Sequence, residues 1–138
     1  MVVVSHMEAL LIAPFDPSAE RLRDTVHRAL DRAGVKLITP DLEAGAVWAE
    51  ATTEAIASAD FVIADVSRGN PNVFYEVGYA HALRKNTILL VSKDADPKLP
   101  TDLEGTFYLT YDPQNLRDLG EYITRAANGF RSRREAIA

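Results

Sequence analysis

With 138 residues, 47% of them hydrophobic and 25% charged, the chain is one domain's worth of protein with a real core, and disordered, collagen-like and low-complexity polymers are excluded. It contains no cysteine, which removes disulfides, thiolate metal sites and cysteine nucleophiles and fits a reducing compartment. A formal net charge of -5 argues against a general grip on DNA or RNA phosphates and leaves only a local patch for that purpose.

In chain order, Ser5-His6-Met7 looks like a cloning junction, so residues 1–6 are expected to be a tag or a disordered start. Glu8 to Ala13 (EALLIA) reads as a buried strand stopped by Pro14, which cannot donate to a ladder. From Pro17 to Ala33 the apolar residues Leu22, Val26, Ala29 and Leu30 recur at helical spacing, and Gly34 follows as the C-cap. Val35 to Thr39 is a second strand, ended by Pro40. A second helix covers Val47 to Ala59, with Ala51, Ala55 and Ile56 inward. Asp60 to Val66 (DFVIADV) is the third strand. It is followed by the turn cluster Ser67-Arg68-Gly69-Asn70 and a helix running to about Arg84, with Asn70 as N-cap and Pro71 as first helical residue. Asn86 to Ser92 (NTILLVS) is unbroken in its apolar character, as a strand buried on both faces requires. Lys93 to Gly105 is a loop, and Thr106 to Tyr111 alternates as a fifth strand. Leu116 to Ala127 is the last helix and Phe130 to Ala138 a basic tail, so one domain over 7–128 and a tail over 129–138 are expected.

Strands alternating with helices imply parallel strands joined by right-handed crossovers. The fold expected is α/β, a single doubly wound, mainly parallel five-stranded sheet of flavodoxin-like size. Ligands bind such sheets outside the carboxyl ends of the strands, near the switch in strand order. That rule selects Pro14 to Ser18 (with Phe15 and Asp16), Pro40 to Glu43, Asp65 to Asn72 and Ser92 to Asp94. Other chemistries lack their fingerprints: no G-x-G-x-x-G, no Walker-type G-x-x-x-x-G-K, no G-x-S-x-G elbow, and no metal spacing among His6, His27 and His81. No cofactor and no metal are expected. No apolar run nears the roughly 20 residues of a membrane span and no signal-peptide pattern opens the chain, so a cytoplasmic protein with neither membrane nor nucleic-acid partner is expected.

The informative stretch is Ala59 to Lys85, ADFVIADVSRGNPNVFYEVGYAHALRK. At about 100° per residue, Val73, Val77 and Ala80 face the sheet, Phe74 and His81 lie on one flank, and Glu76 sits at the other rim. A carboxylate there is close to the strand ends and partly desolvated, which raises its pKa and strengthens it as a base or nucleophile. The competing role for Glu76 is a rim carboxylate paired to an arginine. Asp65 ends its strand at the ligand edge, either as a functional acid or as a turn aspartate capping the Arg68 or Gly69 amides. Gly78 in mid-helix suggests close approach of backbone to a strand or a ligand.

ADFVIADVS followed by NPNVFYEVGYAHALRK resembles the signature of the nucleoside 2-deoxyribosyltransferase-like and TIR-like superfamily. LLIAPFD is similar to that group's first strand and loop, and LPTDLEGTFYLTY with LRDL to its close, so the resemblance spans roughly Glu8 to Tyr122. The resemblance implies chemistry at an N-glycosidic bond of a nucleoside or nucleotide, with Glu76 at the position of the attacking glutamate. Asp65 then stands where an acid assists the departing base or orients the sugar. Two positions depart from the transferase pattern: Asn70 stands where those enzymes carry an aspartate six residues before the nucleophile, and Phe15 where they use a tyrosine.

Ser67, Asn70 and Asn72 are available to hydrogen-bond sugar or phosphate near the positive N-terminus of the helix, and Phe15, Trp48 and Tyr79 to stack on a base. An N-glycosidase or deoxyribosyltransferase is therefore set against a non-catalytic nucleotide-binding module and a TIR-like signalling or interaction domain. Tyr75, on the helix face away from the sheet, suits a contact in a homo-oligomer, which the resemblance also implies. Arg125, Arg131, Arg133 and Arg134 read as a solvated helix end complementing its dipole.

Overall fold

The computed structural model of the chain describes residues 6–14, 16–39, 48–103 and 108–137. Five parallel strands form one sheet in the order β2-β1-β3-β4-β5: β1 Met7–Ile12, β2 Val35–Ile38, β3 Phe61–Asp65, β4 Asn86–Ser92 and β5 Tyr108–Tyr111. The expected doubly wound, flavodoxin-like sheet is the one found. Helices α1 (Glu20–Arg32) and α4 (Arg117–Ile137) pack together on one face, and α2 (Trp48–Ser58) and α3 (Pro71–Ala82) on the other.

The helical spacing read from the sequence is what buries these helices. Leu22, Val26, Ala29 and Leu30 of α1 join Phe61, Ile63 and Leu90 in one core, and Ala55 and Ile56 of α2 with Val73, Val77 and Ala80 of α3 join Leu10, Val62 and Leu89 in the other. The strands alternate between the two cores because successive side chains point to opposite faces. The edge strand β5 stays half-exposed, as an alternating pattern allows.

Helix ends follow local chemistry. Asn70 caps α3 with its side-chain oxygen accepting from the Asn72 and Val73 amides at 2.8 and 3.4 Å, and Pro71 opens the first turn. Gly34, at φ +69°, closes α1. The third helix ends at Ala82 rather than Arg84. The Lys85 amide returns to the Ala80 carbonyl and the Arg84 amide to that of His81, a Schellman closure that forces Arg84 to φ +58°. Lys85 then bridges the end of α2 through its Nζ, donating to the Ala57 and Ala59 carbonyls at 2.8 Å each.

Two expectations are corrected here. The last helix does not stop at Ala127 before a basic tail but continues through Ile137. Asn128 and Gly129 are poor helix formers, yet the turns beyond them are anchored. The Phe130 ring lies 4.9 Å from that of Phe61, with the Arg133 guanidinium 4.9 Å above it. Arg131 donates to the Ala33 carbonyl at 2.5 Å and Arg134 to the Asp60 carboxylate at 3.0 Å, so these two arginines are tertiary ties as well as helix-end charges. The second correction concerns Gly78, whose missing Cβ would meet nothing within 4 Å, so no strand approaches it. Nothing read on residues 1–5 or Pro40 to Glu43 falls within the described residues.

An exposed glycine in mid-helix and an arginine in left-handed backbone each carry a local cost of about 1 kcal/mol. Gly78→Ala and Arg84→Gly should therefore each raise unfolding stability by about 1 kcal/mol, read as a higher urea midpoint at unchanged slope.

Candidate functional site

The strand order reverses at β1: the chain leaves it for β2 on one side and returns to β3 on the other. The carboxyl end of β1 is therefore the switch point, where diverging helices leave a gap. A cavity of about 270 Å³ opens there, near the lower bound of the roughly 300–1,000 Å³ typical of small-molecule sites. Its floor is apolar, from Leu10 to Ile12 of β1 and Leu37 and Ile38 of β2, and Asn70, Asn72 and Glu76 border it from α3. Thr52 of α2 and Arg23 of α1 complete the polar lining, together with Thr39.

Glu76 lies at the rim the helical roll assigns it, partly buried one turn and a half into α3. The alternative of a rim glutamate paired to an arginine is not what the structure shows. Among the described residues its carboxylate has neither ion-pair nor hydrogen-bond partner, and burial alone pushes its pKa above the ordinary glutamate value. Arg23 shares the cavity but donates to the Pro14 carbonyl at 3.2 Å.

Asp65 is placed differently. It is buried at the end of β3 and lines a second cavity of about 380 Å³, on the α1 and α4 side, together with Ser67, Arg68, Ser92 and Tyr111. Its Oδ1 accepts from the Ser67 amide at 3.1 Å and the Ser67 hydroxyl at 2.5 Å, and its Oδ2 from the Tyr111 hydroxyl at 2.9 Å. Ser67 Oγ in turn accepts from the Ser92 amide at 2.7 Å, so the network ties the ends of β3, β4 and β5 together. Burial, with the neighbouring Asp65 carboxylate, pushes the Tyr111 hydroxyl up to about 12. Asp65 and Glu76 therefore do not line one cavity, although Pro14 borders both. The turn role anticipated for Asp65 is present, with the Ser67 amide rather than those of Arg68 or Gly69 as its partner.

Asp16 caps the 3-10 turn Pro17–Ala19 through the Ser18 amide at 2.9 Å and pairs with Arg68; that amide first, then the guanidinium, holds its carboxyl below the usual range. Tyr79 packs against the α2 and α3 core and borders neither cavity. Phe15 lies outside the described residues. Sequence reasoning missed Arg23, Thr52 and Tyr111. The helical spacing that put Leu22 and Ala51 inside also set their neighbours Arg23, half-buried, and Thr52, buried, beside the apolar stripe, where a polar residue next to an inward position is the only signal available.

Residues 14–113 match the family model of the CAP12/Pycsar effector protein TIR domain, and the chain belongs to that family. None of the curated proteins matches it by sequence. Among solved structures it is similar to the Clostridium botulinum CMP N-glycosidase BcmB, at 22% identity and TM-score 0.63 over 83% of this chain and 98% of that one. It is similar also to the TIR domain of the Toll-related receptor TRR-2 of Hydra magnipapillata, at 19% identity and TM-score 0.65 over 86% and 96% of the two chains. A 2-deoxyribosyltransferase of Bacillus psychrosaccharolyticus shares the fold at 17% identity and TM-score 0.57, over 87% of this chain and 95% of that one. The resemblance to the deoxyribosyltransferase-like and TIR-like superfamily thus holds for the fold.

A carboxyl whose pKa is raised on folding binds more protons in the native than in the unfolded state, so its contribution favours folding at acid pH and is lost as pH climbs through the folded value. Glu76→Gln should therefore be more stable than the parent at pH 7, and the difference should vanish below about pH 4, the ordinary glutamate range. Paired urea titrations at the two pH values read the effect.

Proposed function

We propose that the chain cleaves or transfers at the N-glycosidic bond of a nucleoside or nucleotide, with Glu76 as the attacking group. The observation that carries the reading is a partly buried carboxylate, without a partner among the described residues, beside an apolar cavity at the switch point of the sheet. Cleavage of such a bond passes through an oxocarbenium-like state, which an adjacent carboxylate stabilises. A Glu76 oxygen bonds to the anomeric carbon while the C–N electron pair leaves with the base, which takes a proton from solvent. Water, or an acceptor base in a transfer, then displaces the ester and restores the carboxylate.

The other expected residues support this chemistry from different distances. Asn70 uses its carbonyl oxygen on the α3 amides, as an aspartate at that position would, so the departure from the transferase pattern leaves the helix start intact. Asn72 borders the cavity and is available to the sugar hydroxyls. Asp65 and Ser67 act as positioning residues that hold the strand ends, rather than as the acid for the leaving base. The similarity to a CMP N-glycosidase, named for such a bond, and to a 2-deoxyribosyltransferase used to synthesise nucleosides is consistent with the reading.

The family match favours a second role, that of a TIR-type interaction module in an effector. Tyr75, 66% exposed on the outer face of α3, is the side chain we assign to contact between copies in a homo-oligomer. The two roles separate experimentally. Chromatography of cytidine, adenosine, their 5′-monophosphates and NAD should show free base from at least one compound, lowered at least a hundredfold by Glu76→Gln at unchanged fold. No base from any compound, with concentration-dependent self-association abolished by Tyr75→Glu, would leave only the interaction module.

A further inference from the structure

One polar group in the Glu76 cavity is not explained by the fold. Thr52, on α2, is 5% exposed and borders the cavity, and its hydroxyl is the one buried side-chain polar atom without a hydrogen-bond partner among the described residues. A helical hydroxyl ordinarily escapes this by bonding to a carbonyl one turn back. Thr25, Thr53, Ser58 and Thr124 all do so, donating at 2.9, 3.0, 3.1 and 3.0 Å to the carbonyls of Arg21, Glu50, Ala55 and Gly120. Thr52 makes no such bond. Its buried neighbours Ala51, Ala55 and Ile56 are apolar, so packing has no need of a hydroxyl there, and a valine of the same shape would avoid the cost of an unpaired one.

A cost of that kind is offset when a partner arrives from outside. The cavity is the route for it: Thr52 of α2 and Glu76 of α3 line it together with the apolar floor of Leu10, Ile12 and Ile38. A group entering there has to tolerate apolar contact on its faces and still offer a hydrogen bond at its edge. Sugar hydroxyls and charged groups hold their water and fail the first condition. A heterocyclic base meets both, because its faces are flat and apolar while its polar atoms lie in the ring plane. With the ribose at Glu76, the group that projects furthest beyond the glycosidic bond is the exocyclic amino or oxo group at C4 of a pyrimidine or C6 of a purine. A threonine hydroxyl can donate to an oxo group or accept from an amino group.

We propose that Thr52 is a specificity-determining residue: its hydroxyl, turning about χ1 toward the cavity, hydrogen-bonds the exocyclic group at C4 or C6 of the base of a bound nucleoside. The assignment deepens the N-glycosidic reading and rests on it for the ribose lying at Glu76. Calorimetric titration in a Glu76→Gln background, where no turnover blurs binding, tests it with two sets of probes. Cytidine and uridine are compared with the riboside of pyrimidin-2-one, and adenosine and inosine with the riboside of purine; both analogues lack the exocyclic group. At least one parent nucleoside should bind about tenfold tighter than its analogue. Thr52→Val should bring that ratio close to one, and Thr52→Ser should keep most of it. Thr52→Val should also raise Tm by a few degrees, a pairing of lost selectivity with gained stability that a merely structural threonine would not produce.

Binding by none of these compounds, equal affinity within both sets, or a ratio that Thr52→Val leaves unchanged would overturn the proposal. Base release abolished by Glu76→Gln, together with such an unchanged ratio, would remove the Thr52 contact and leave the glycosidic reading standing. A ratio that collapses in Thr52→Val, with no base release from any compound by the unsubstituted chain, would do the reverse.

Discussion

A carboxylate moved next to apolar side chains loses part of its hydration, and unless a cation or hydrogen-bond donors replace the water it holds its proton more tightly. Most rim glutamates on helices escape this by pairing. Glu76 does not: it borders an apolar floor, lacks a partner among the described residues, and its pKa moves up by burial alone. Folding has to tolerate that arrangement, because the ionised form is less favourable there than in the unfolded chain. The rest of the site is organised around this exception.

The sheet creates the opening and the loops divide it. Strand order 2-1-3-4-5 leaves the end of β1 with helices diverging to opposite faces, and two of the cavities at the carboxyl edge touch Pro14. One of them is apolar-floored and carries Glu76. The other holds the hydrogen-bonded cluster of Asp65, Ser67 and Tyr111, which fastens three strand ends and leaves the Asp65 oxygens engaged. Two acidic residues that look alike along the chain thus have different surroundings, one short of partners and the other well supplied.

Much of this was legible in the sequence because it depends on short-range rules. Helical spacing put Leu22, Val26 and Ile56 inside, the Asn70-Pro71 pair marked the start of α3, and the apolar run of β4 marked a central strand. Angular position alone brought Glu76 to the rim. What was not legible depends on contacts distant in sequence. The final residues, expected as a basic tail, are helical because Phe130 on Phe61 and Arg134 on Asp60 hold the extra turns. Tyr111 reaches Asp65 across 46 residues, and that bond, with the Ser67 turn, turned the second carboxylate away from Glu76. Gly78 suggested a close approach that no neighbour makes.

The account depends on Glu76 being unpaired and desolvated in the folded protein. Side-chain carbon-13 NMR, titrating Glu76 with its resonance assigned through Glu76→Gln, measures that state directly. The expected result is a midpoint clearly above the ordinary glutamate value of about 4.3, with no other group titrating in step with it. A midpoint at or below that value would mean that a cation or a set of donors holds the carboxylate, and the glutamate would then be an ordinary rim residue.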